Sequence, residues 1–261
     1  MNSILTLPSD IYQANQSASR DRSRLFYAGA AALLLAVMFL GFQQFYLHGR
    51  AFPDRPLTPA IRTLVIAHGI AMSLWMMLLL VQPLLVLNRK YRVHMAVGKA
   101  GALLAAVIVV LGLEVALGSA RIDPSRIFVW SLTYEEFMAV PFVSILIFAG
   151  FVATGILNRR RPEIHRPMML LATLTVISAA TDRIPWMLAL FEHTVWGTTF
   201  GPFFPPLLCG AVLLVIKWAL TRSFDRCFAM GWAGLVVADA GIMKLATTQT
   251  WDGMASFLLW I

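Results

Sequence analysis

Two basic stretches interrupt the apolar sequence in the same way: Asn88–His94 reads NRKYRVH, and Asn158–His165 reads NRRRPEIH. Each stretch ends one long apolar run and opens the next. His94 and His165 are therefore expected to enter the apolar layer at a similar depth on the same side. Two histidines that project from adjacent helices can bind one metal centre axially, and haem iron is the usual occupant of such a site.

The composition is that of an integral membrane protein. Of the 261 residues, 59% are hydrophobic and only 13% are charged, and the mean hydropathy is +0.75. These values lie well outside the balance of a soluble domain. Because a bilayer core of about 30 Å needs about 20 apolar residues in a helix, we predict an all-α bundle of six or seven transmembrane helices. The six clear runs cover residues 25–47, 63–87, 100–118, 134–157, 167–190 and 203–221.

A seventh run at 228–246 is interrupted by Asp239 and Lys244, and charge at membrane depth is costly unless it is paired or lines a polar cavity. We therefore divide the chain into an N-terminal segment (1–24), a six-helix bundle (25–227, with its core at 63–190), and a seventh helix with a tail (228–261). The connections are too short to hold a soluble domain, so any chemistry is expected in or at the bilayer.

The basic residues predict the orientation. With the N-terminus in the cytoplasm, fourteen Lys and Arg residues fall inside and five outside, as the positive-inside rule requires. The predicted location is the inner (plasma) membrane. The net charge of +8 is then explained by attraction to anionic lipid headgroups, and no nucleic acid partner is expected.

The 70-residue offset between the two stretches suggests that helices two and three repeat as helices four and five in parallel orientation. Coincidence is the alternative, because basic residues followed by a helix start are common at inner membrane surfaces. We keep both interpretations.

The inner histidines allow three interpretations: headgroup contact, a haem or other metal, and a proton relay. Gly98 follows His94 on the same helix face, where it leaves either a flat recess for a cofactor or a seam for close helix packing. Arg166 could receive a haem propionate through a charge-assisted hydrogen bond.

A second polar group is predicted near the outer surface. His68 precedes the inner boundary of its helix by about 20 residues, which is about 30 Å at helical rise, so it cannot share an ion with His94. Its expected neighbours are Glu114, Asp182 and Arg183, since ionisable groups inside a membrane usually face the bundle interior. The group could be a structural ion pair, a quinol, proton or substrate pocket, or a carboxylate–histidine metal site.

From His68 through Asn88–His94 to Leu117, the chain resembles the core helices of the cytochrome b-561 family. That resemblance implies four helices carrying four histidines and two b-type haems, with the inner haem ligated here by His94 and His165. At the expected position of the last ligand stand Tyr134, Glu135 and Glu136, so the resemblance leaves one haem b or none, unless His193 replaces that ligand.

The chain also resembles a widespread group of bacterial inner-membrane proteins. The residues that carry this resemblance are His68-Gly69, Trp75, Gln82, His94, Gly98, the stretch 161–169 and Arg183. It implies a fold and a set of histidines but no reaction.

Two functions remain as hypotheses. One is a membrane b-type cytochrome that exchanges electrons with a quinol or a respiratory-chain component. The other is a non-enzymatic accessory subunit or small-solute transporter that uses the buried polar group. Signatures of hydrolases and phosphate-binding loops are missing from the sequence.

Overall fold

The structure, a computed structural model, describes residues 9–52, 55–122 and 130–260. Almost all of its regular structure is helical, apart from one short antiparallel pair of strands. The elements are α1 (Ser9–Gly41), α2 (Gln43–His48), β1 (Arg50–Phe52), β2 (Arg55–Pro56), α3 (Arg62–Leu87), α4 (Tyr91–Ile122), α5 (Tyr134–Phe137), α6 (Ala139–Leu157), α7 (Pro162–Val176), α8 (Ser178–Thr181), α9 (Pro185–Ala189), α10 (Val195–Phe200), α11 (Phe204–Thr221), α12 (Arg226–Ala246) and α13 (Gln249–Trp260).

In the part of the chain that the structure describes, seven helical segments are long and apolar enough to cross a membrane, so the protein is an all-α, multi-pass membrane bundle. The spans are Asp21–Gly41, Pro59–Leu87, Tyr91–Ile122, Tyr134–Leu157, Pro162–Thr181, Val195–Thr221 and Arg226–Ala246. The seventh includes both charges that made it doubtful in the sequence. Asp239 is 1% exposed and faces the bundle, whereas Lys244 is exposed in the last turn.

The bundle is held together by close helix pairs. α3 packs on α4, α6 on α7, and α4 on α6, while α1 lies against α3 and α11. The buried stripe of α4 consists largely of small residues, Gly101, Ala105, Gly112, Ala116 and Ala120, and small side chains let membrane helices approach closely.

Two tryptophans are buried inside the bundle. The Trp75 indole donates to Thr173 Oγ1 at 3.1 Å and joins α3 to α7. Trp251, which is fully buried, donates to the Glu135 carbonyl at 2.9 Å and attaches α13 to α5. Both rings therefore connect helices within the bundle.

The predicted helix at 167–190 is broken in the structure. α7 ends at Val176, α8 covers only four residues, and α9 begins at Pro185. Proline disfavours helical conformation in the residue before it, and Ile184 is extended. Asp182 and Arg183 therefore lie in the turn between α8 and α9, which corrects their predicted position within a continuous helix.

The two basic stretches form similar turns. Asn88 and Asn158 each follow the last residue of a helix, and each side-chain amide donates to the carbonyl four residues earlier, at 2.8 and 2.9 Å. His94 is then the fourth residue of α4, and His165 is the fourth residue of α7. The two stretches therefore have similar local structures, and each histidine occupies the same position in its helix.

Candidate functional site

The two histidines of the basic stretches lie next to each other in the structure. The ring centroids of His94 and His165 are 6.5 Å apart, and the ring planes are nearly perpendicular at 87°. Both residues are half-buried in the first turn of their helices, where their backbone N–H groups bond to Lys90 and Arg161. We call these two side chains the histidine pair.

His165 is oriented by a backbone carbonyl. Its Nδ1 lies 2.8 Å from the Gly155 oxygen on α6. Because a carbonyl only accepts, Nδ1 must carry the proton, which leaves the Nε2 lone pair free. A Cβ at Gly155 would collide with Cε of Met169 and lie 3.3 Å from Cβ of Met168. Close packing of α6 on α7 therefore sets the tautomer of His165.

His94 is oriented by a side chain, that of Gln82 on α3. With the amide assigned from its partners, Gln82 donates to Nδ1 and to the backbone oxygen of His94, and it accepts from the Gly98 N–H at 3.0 Å. A neutral His94 that accepts at Nδ1 carries its proton on Nε2. Gly98 thus contacts Gln82 through its backbone, so the structure places it in the α3–α4 seam.

Arg166 adjoins His165 and is half-buried. It is near enough to Tyr27 on α1 for the two groups to interact electrostatically. Arg166 therefore brings a positive charge to the edge of the histidine pair, where the sequence predicted it.

A buried ionic cluster that the sequence analysis missed lies at the same end. Lys217 is 6% exposed, forms an ion pair with Asp225 and donates to the Tyr27 hydroxyl. The carboxyl of Asp225 also accepts from the Phe228 N–H and caps α12. A lysine in an apolar run with an aspartate eight residues later is the signal that could have revealed the cluster.

The opposite end of the bundle contains a cavity of about 730 Å³, which we call the distal cavity. Three of the four residues predicted as an outer polar cluster line it, namely His68, Asp182 and Arg183. Gly112, which also lines it, follows His94 by 18 residues in α4, and this is about 27 Å along the helix at 1.5 Å per residue. The distal cavity and the histidine pair are separate sites.

Two polar side chains on the wall of the distal cavity lack partners. His68 Nδ1 and Ser144 Oγ are buried, and neither has a hydrogen-bond partner among the described residues. The His68 ring packs edge-on against α4, with Cε1 only 3.3 Å from the position of a Cβ at Gly112. Leaving such a group unsatisfied costs about 1–3 kcal/mol, so a ligand whose polar group reached these side chains would recover part of that cost.

The rim of the cavity carries charge. Asp182 accepts a hydrogen bond of 2.8 Å from the Trp130 indole. Burial raises the pKa of the Asp182 carboxyl, and the Trp130 bond lowers it in part. Arg183 donates to the carbonyls of Ala51 and Ala179, and its guanidinium lies 4.7 Å above the centre of the Phe42 ring. Arg183 thus ties the α8–α9 turn to β1 and to Phe42 at the junction of α1 and α2.

Glu114, the fourth predicted member of the cluster, lies elsewhere. Its side chain is exposed and does not line the distal cavity. The cavity is lined from α4 by Gly112 and Ala116, and two residues correspond to about 200° of rotation at 3.6 residues per turn. Glu114 is therefore on the opposite face of α4. His193 is exposed and also outside the cavity wall.

In comparisons with known proteins, no family model, no curated protein and no solved structure matches the chain.

Proposed function

We propose that the protein is a membrane redox protein of the b-type cytochrome kind, with a haem held between His94 and His165. The observation that carries this proposal is the 6.5 Å separation of the two ring centroids. Imidazoles that bind one metal from opposite sides at metal–nitrogen distances of about 2 Å have centroids about 6 Å apart.

The donor set supports a metal that brings its own equatorial ligands. Within residues 9–52, 55–122 and 130–260, no group of three or more His, Cys, Asp and Glu side chains could hold a metal ion. Two histidines alone suffice for haem, because the porphyrin supplies four nitrogens. When bound, haem would supply one-electron chemistry.

The residues around the pair would hold and orient the group. His165 already presents an unprotonated Nε2 through its bond to Gly155. His94 requires its proton on Nδ1, and a half-turn of the Gln82 amide would provide the oxygen that accepts it. This rotation would give up the bonds of the amide to the His94 oxygen and from the Gly98 N–H, each worth about 1 kcal/mol. Arg166 would bind a propionate.

The orientation is part of the same proposal. With the N-terminus in the cytoplasm, the pair lies at the cytoplasmic side of the inner (plasma) membrane, next to the basic residues of both stretches. The electron partner would be a quinol or a component of the respiratory chain.

An optical spectrum of the purified protein tests the proposal. Protein expressed with added haem precursor should show a Soret band and a reduced-minus-oxidised α band, and His94→Ala should remove both. His193→Ala, at an exposed histidine outside both sites, serves as the matched control and should keep them. A wild-type protein that folds without these bands, even after haem is added in vitro, would refute the proposal.

The distal cavity favours a second candidate, a non-enzymatic accessory subunit or a carrier of small solutes. This cavity lies about 27 Å from the pair, and its unpartnered polar atoms could bind a solute in a protein that holds no haem. Uptake or subunit pull-down with Arg183→Ala tests this candidate, since the substitution removes the contacts that hold the α8–α9 turn. An unchanged phenotype would rule it out.

A further inference from the structure

We infer that the distal cavity binds one quinone-class molecule, a neutral ring bearing oxygen atoms and an apolar tail, through His68 and Ser144. The inference rests on the proposed function for the class of its ligand, a quinol partner, and deepens it by giving that partner a site separate from the histidine pair; it includes no electron-transfer step. It rests on the size, the lining and the unpartnered polar atoms of this cavity.

The size and lining indicate a largely apolar ligand. A volume of about 730 Å³ lies within the range of pockets that bury a whole small molecule. Aromatic side chains surround the space and offer flat surfaces for a planar ring, and flexible methionines can adapt to a tail. The aromatic residues are Phe42, Phe45, Tyr46, Trp130, Tyr134 and Phe137.

The polar atoms indicate oxygen on the ring. Nδ1 of a neutral histidine can donate or accept, and so can a serine hydroxyl. A ring carbonyl could accept from both His68 and Ser144, and a ring hydroxyl could donate to one and accept from the other. Ser144 is 5% exposed, so a hydrogen bond between its hydroxyl and a ligand would form away from bulk water.

Their placement indicates that both atoms act on the same molecule. His68 is on α3 and Ser144 on α6, and these helices face the cavity on either side of α4. Gly112 of α4 lies between them, since a Cβ there would be 2.9 Å from Ile145 Cγ1, next to Ser144, and 3.3 Å from His68 Cε1. A neutral ligand is favoured because Asp182 and Arg183 on the wall are already bonded within the protein, Asp182 to the Trp130 indole and Arg183 to the carbonyls of Ala51 and Ala179.

Isothermal titration of the full-length protein in lipid nanodiscs with decylubiquinone tests the inference. We expect saturable binding at one site per chain. His68→Leu should weaken it about tenfold or more, and Ser144→Ala about fivefold, as loss of a hydrogen bond in a buried site predicts. His68→Gln, which keeps a hydrogen-bonding group, should bind within about threefold of the wild type.

Thr175→Ala is the matched control. It also removes a buried hydroxyl, bonded to the Leu171 carbonyl at 2.9 Å on α7, but from a residue that does not line the cavity, so binding should be unchanged. Decanol, which has the tail without the ring, should not displace the quinone. If His68→Leu does not fold, the contrast between Ser144→Ala and Thr175→Ala decides the question.

Three outcomes would overturn the inference: no saturable binding to the wild type, equal weakening by Thr175→Ala and Ser144→Ala, or displacement by decanol. The haem spectrum is recorded on the same samples. A quinone site that fails while the Soret band is present refutes this inference alone, and a missing band with intact quinone binding refutes only the proposed function.

Discussion

The histidine pair and the distal cavity differ in whether the Nδ1 atoms of their histidines have hydrogen-bond partners. At the pair, each Nδ1 has a partner within the protein, Gln82 for His94 and the Gly155 carbonyl for His165. In the distal cavity, His68 Nδ1 has no partner among the described residues. The pair is therefore held in place before any ligand arrives, whereas the cavity leaves polar atoms for the ligand to satisfy.

This difference distinguishes two kinds of site. A metal ligand needs a fixed ring and an unprotonated Nε2. The Gly155 bond supplies both for His165, whereas the Gln82 bond fixes the His94 ring and its amide would have to turn to supply the tautomer. A site for a neutral organic molecule can keep unsatisfied donors and acceptors, at a cost in stability that binding recovers. Substitutions at the two ends should consequently differ in what they remove and in the sign of their effect on stability.

The largest expected effect is on haem content. His165→Ala should lower the haem bound per chain by about tenfold or more, since one axial ligand is lost. His68→Ala, at the distal cavity, should leave haem content unchanged. Pyridine haemochrome assay of both purified variants measures it, and equal losses in the two would contradict the division into separate sites.

The next largest effect is on the free energy of unfolding, which should change in opposite directions in two variants. His68→Leu should raise the free energy of unfolding of the ligand-free protein by about 1–3 kcal/mol, because a buried unpartnered group is replaced by an apolar one. Gln82→Leu should lower it by about 1 kcal/mol, because hydrogen bonds to α4 are lost. Thermal unfolding in one detergent compares them, and a decrease in both variants would show that His68 is satisfied.

A smaller effect concerns the close packing beside His68. Gly112→Ala would place a methyl group 2.9 Å from Ile145 Cγ1 and 3.3 Å from His68 Cε1, so we expect a loss of about 1 kcal/mol from overpacking. Gly150→Ala is the control on α6, where nothing lies within 4 Å of the new methyl group. It should be neutral or stabilising by up to about 1 kcal/mol. Chemical denaturation curves that rank the two variants the other way would contradict this packing.

The smallest effect is the pH dependence at the rim of the cavity. Burial raises the pKa of Asp182, and Glu192 adds to this, while Trp130 and Arg183 act in the opposite direction. Because the folded protein then holds the proton more tightly than the unfolded chain, stability is fully present below the unfolded pKa and is lost as pH rises through the folded one.

Asp182→Asn keeps an oxygen for the Trp130 indole and removes the titration. The decrease in Tm between pH 4 and pH 7 should therefore be smaller in this variant than in the wild type, by about 1–2 °C. Differential scanning calorimetry at the two pH values measures it. A larger decrease in the variant would mean that the carboxylate is stabilised in the folded state.

Much of the fold could be predicted from hydropathy, and its failures have physical causes. The seventh span was doubtful because Asp239 and Lys244 interrupt it, but hydropathy cannot tell that Asp239 faces the bundle while Lys244 is exposed at the helix end. The break before Pro185 was readable from the effect of proline on its neighbour. The bend after Val176 has no such signal in the sequence.

The sites were predictable only as far as spacing along one helix allows. The repeated Asn, basic residues and His placed His94 and His165 in the same turn of two helices, where the structure has them. Glu114 was predicted in the outer polar cluster but lies outside the distal cavity. The sequence does not show which face of α4 meets α3 and α6. The contact of Gln82 with His94 depends on the rotation of two helices about their axes, which no local pattern specifies.

The bond between His165 and Gly155 has a consequence for genetics. Its acceptor is a main-chain oxygen, so no amino-acid exchange at residue 155 can delete it, and alanine scanning would record Gly155 only as a place where bulk is not tolerated. A mutational map of this protein would thus show the support of His94 as a polar position and the support of His165 as a steric one. Two groups with the same role, orienting a histidine ring, would thus give different mutational signatures.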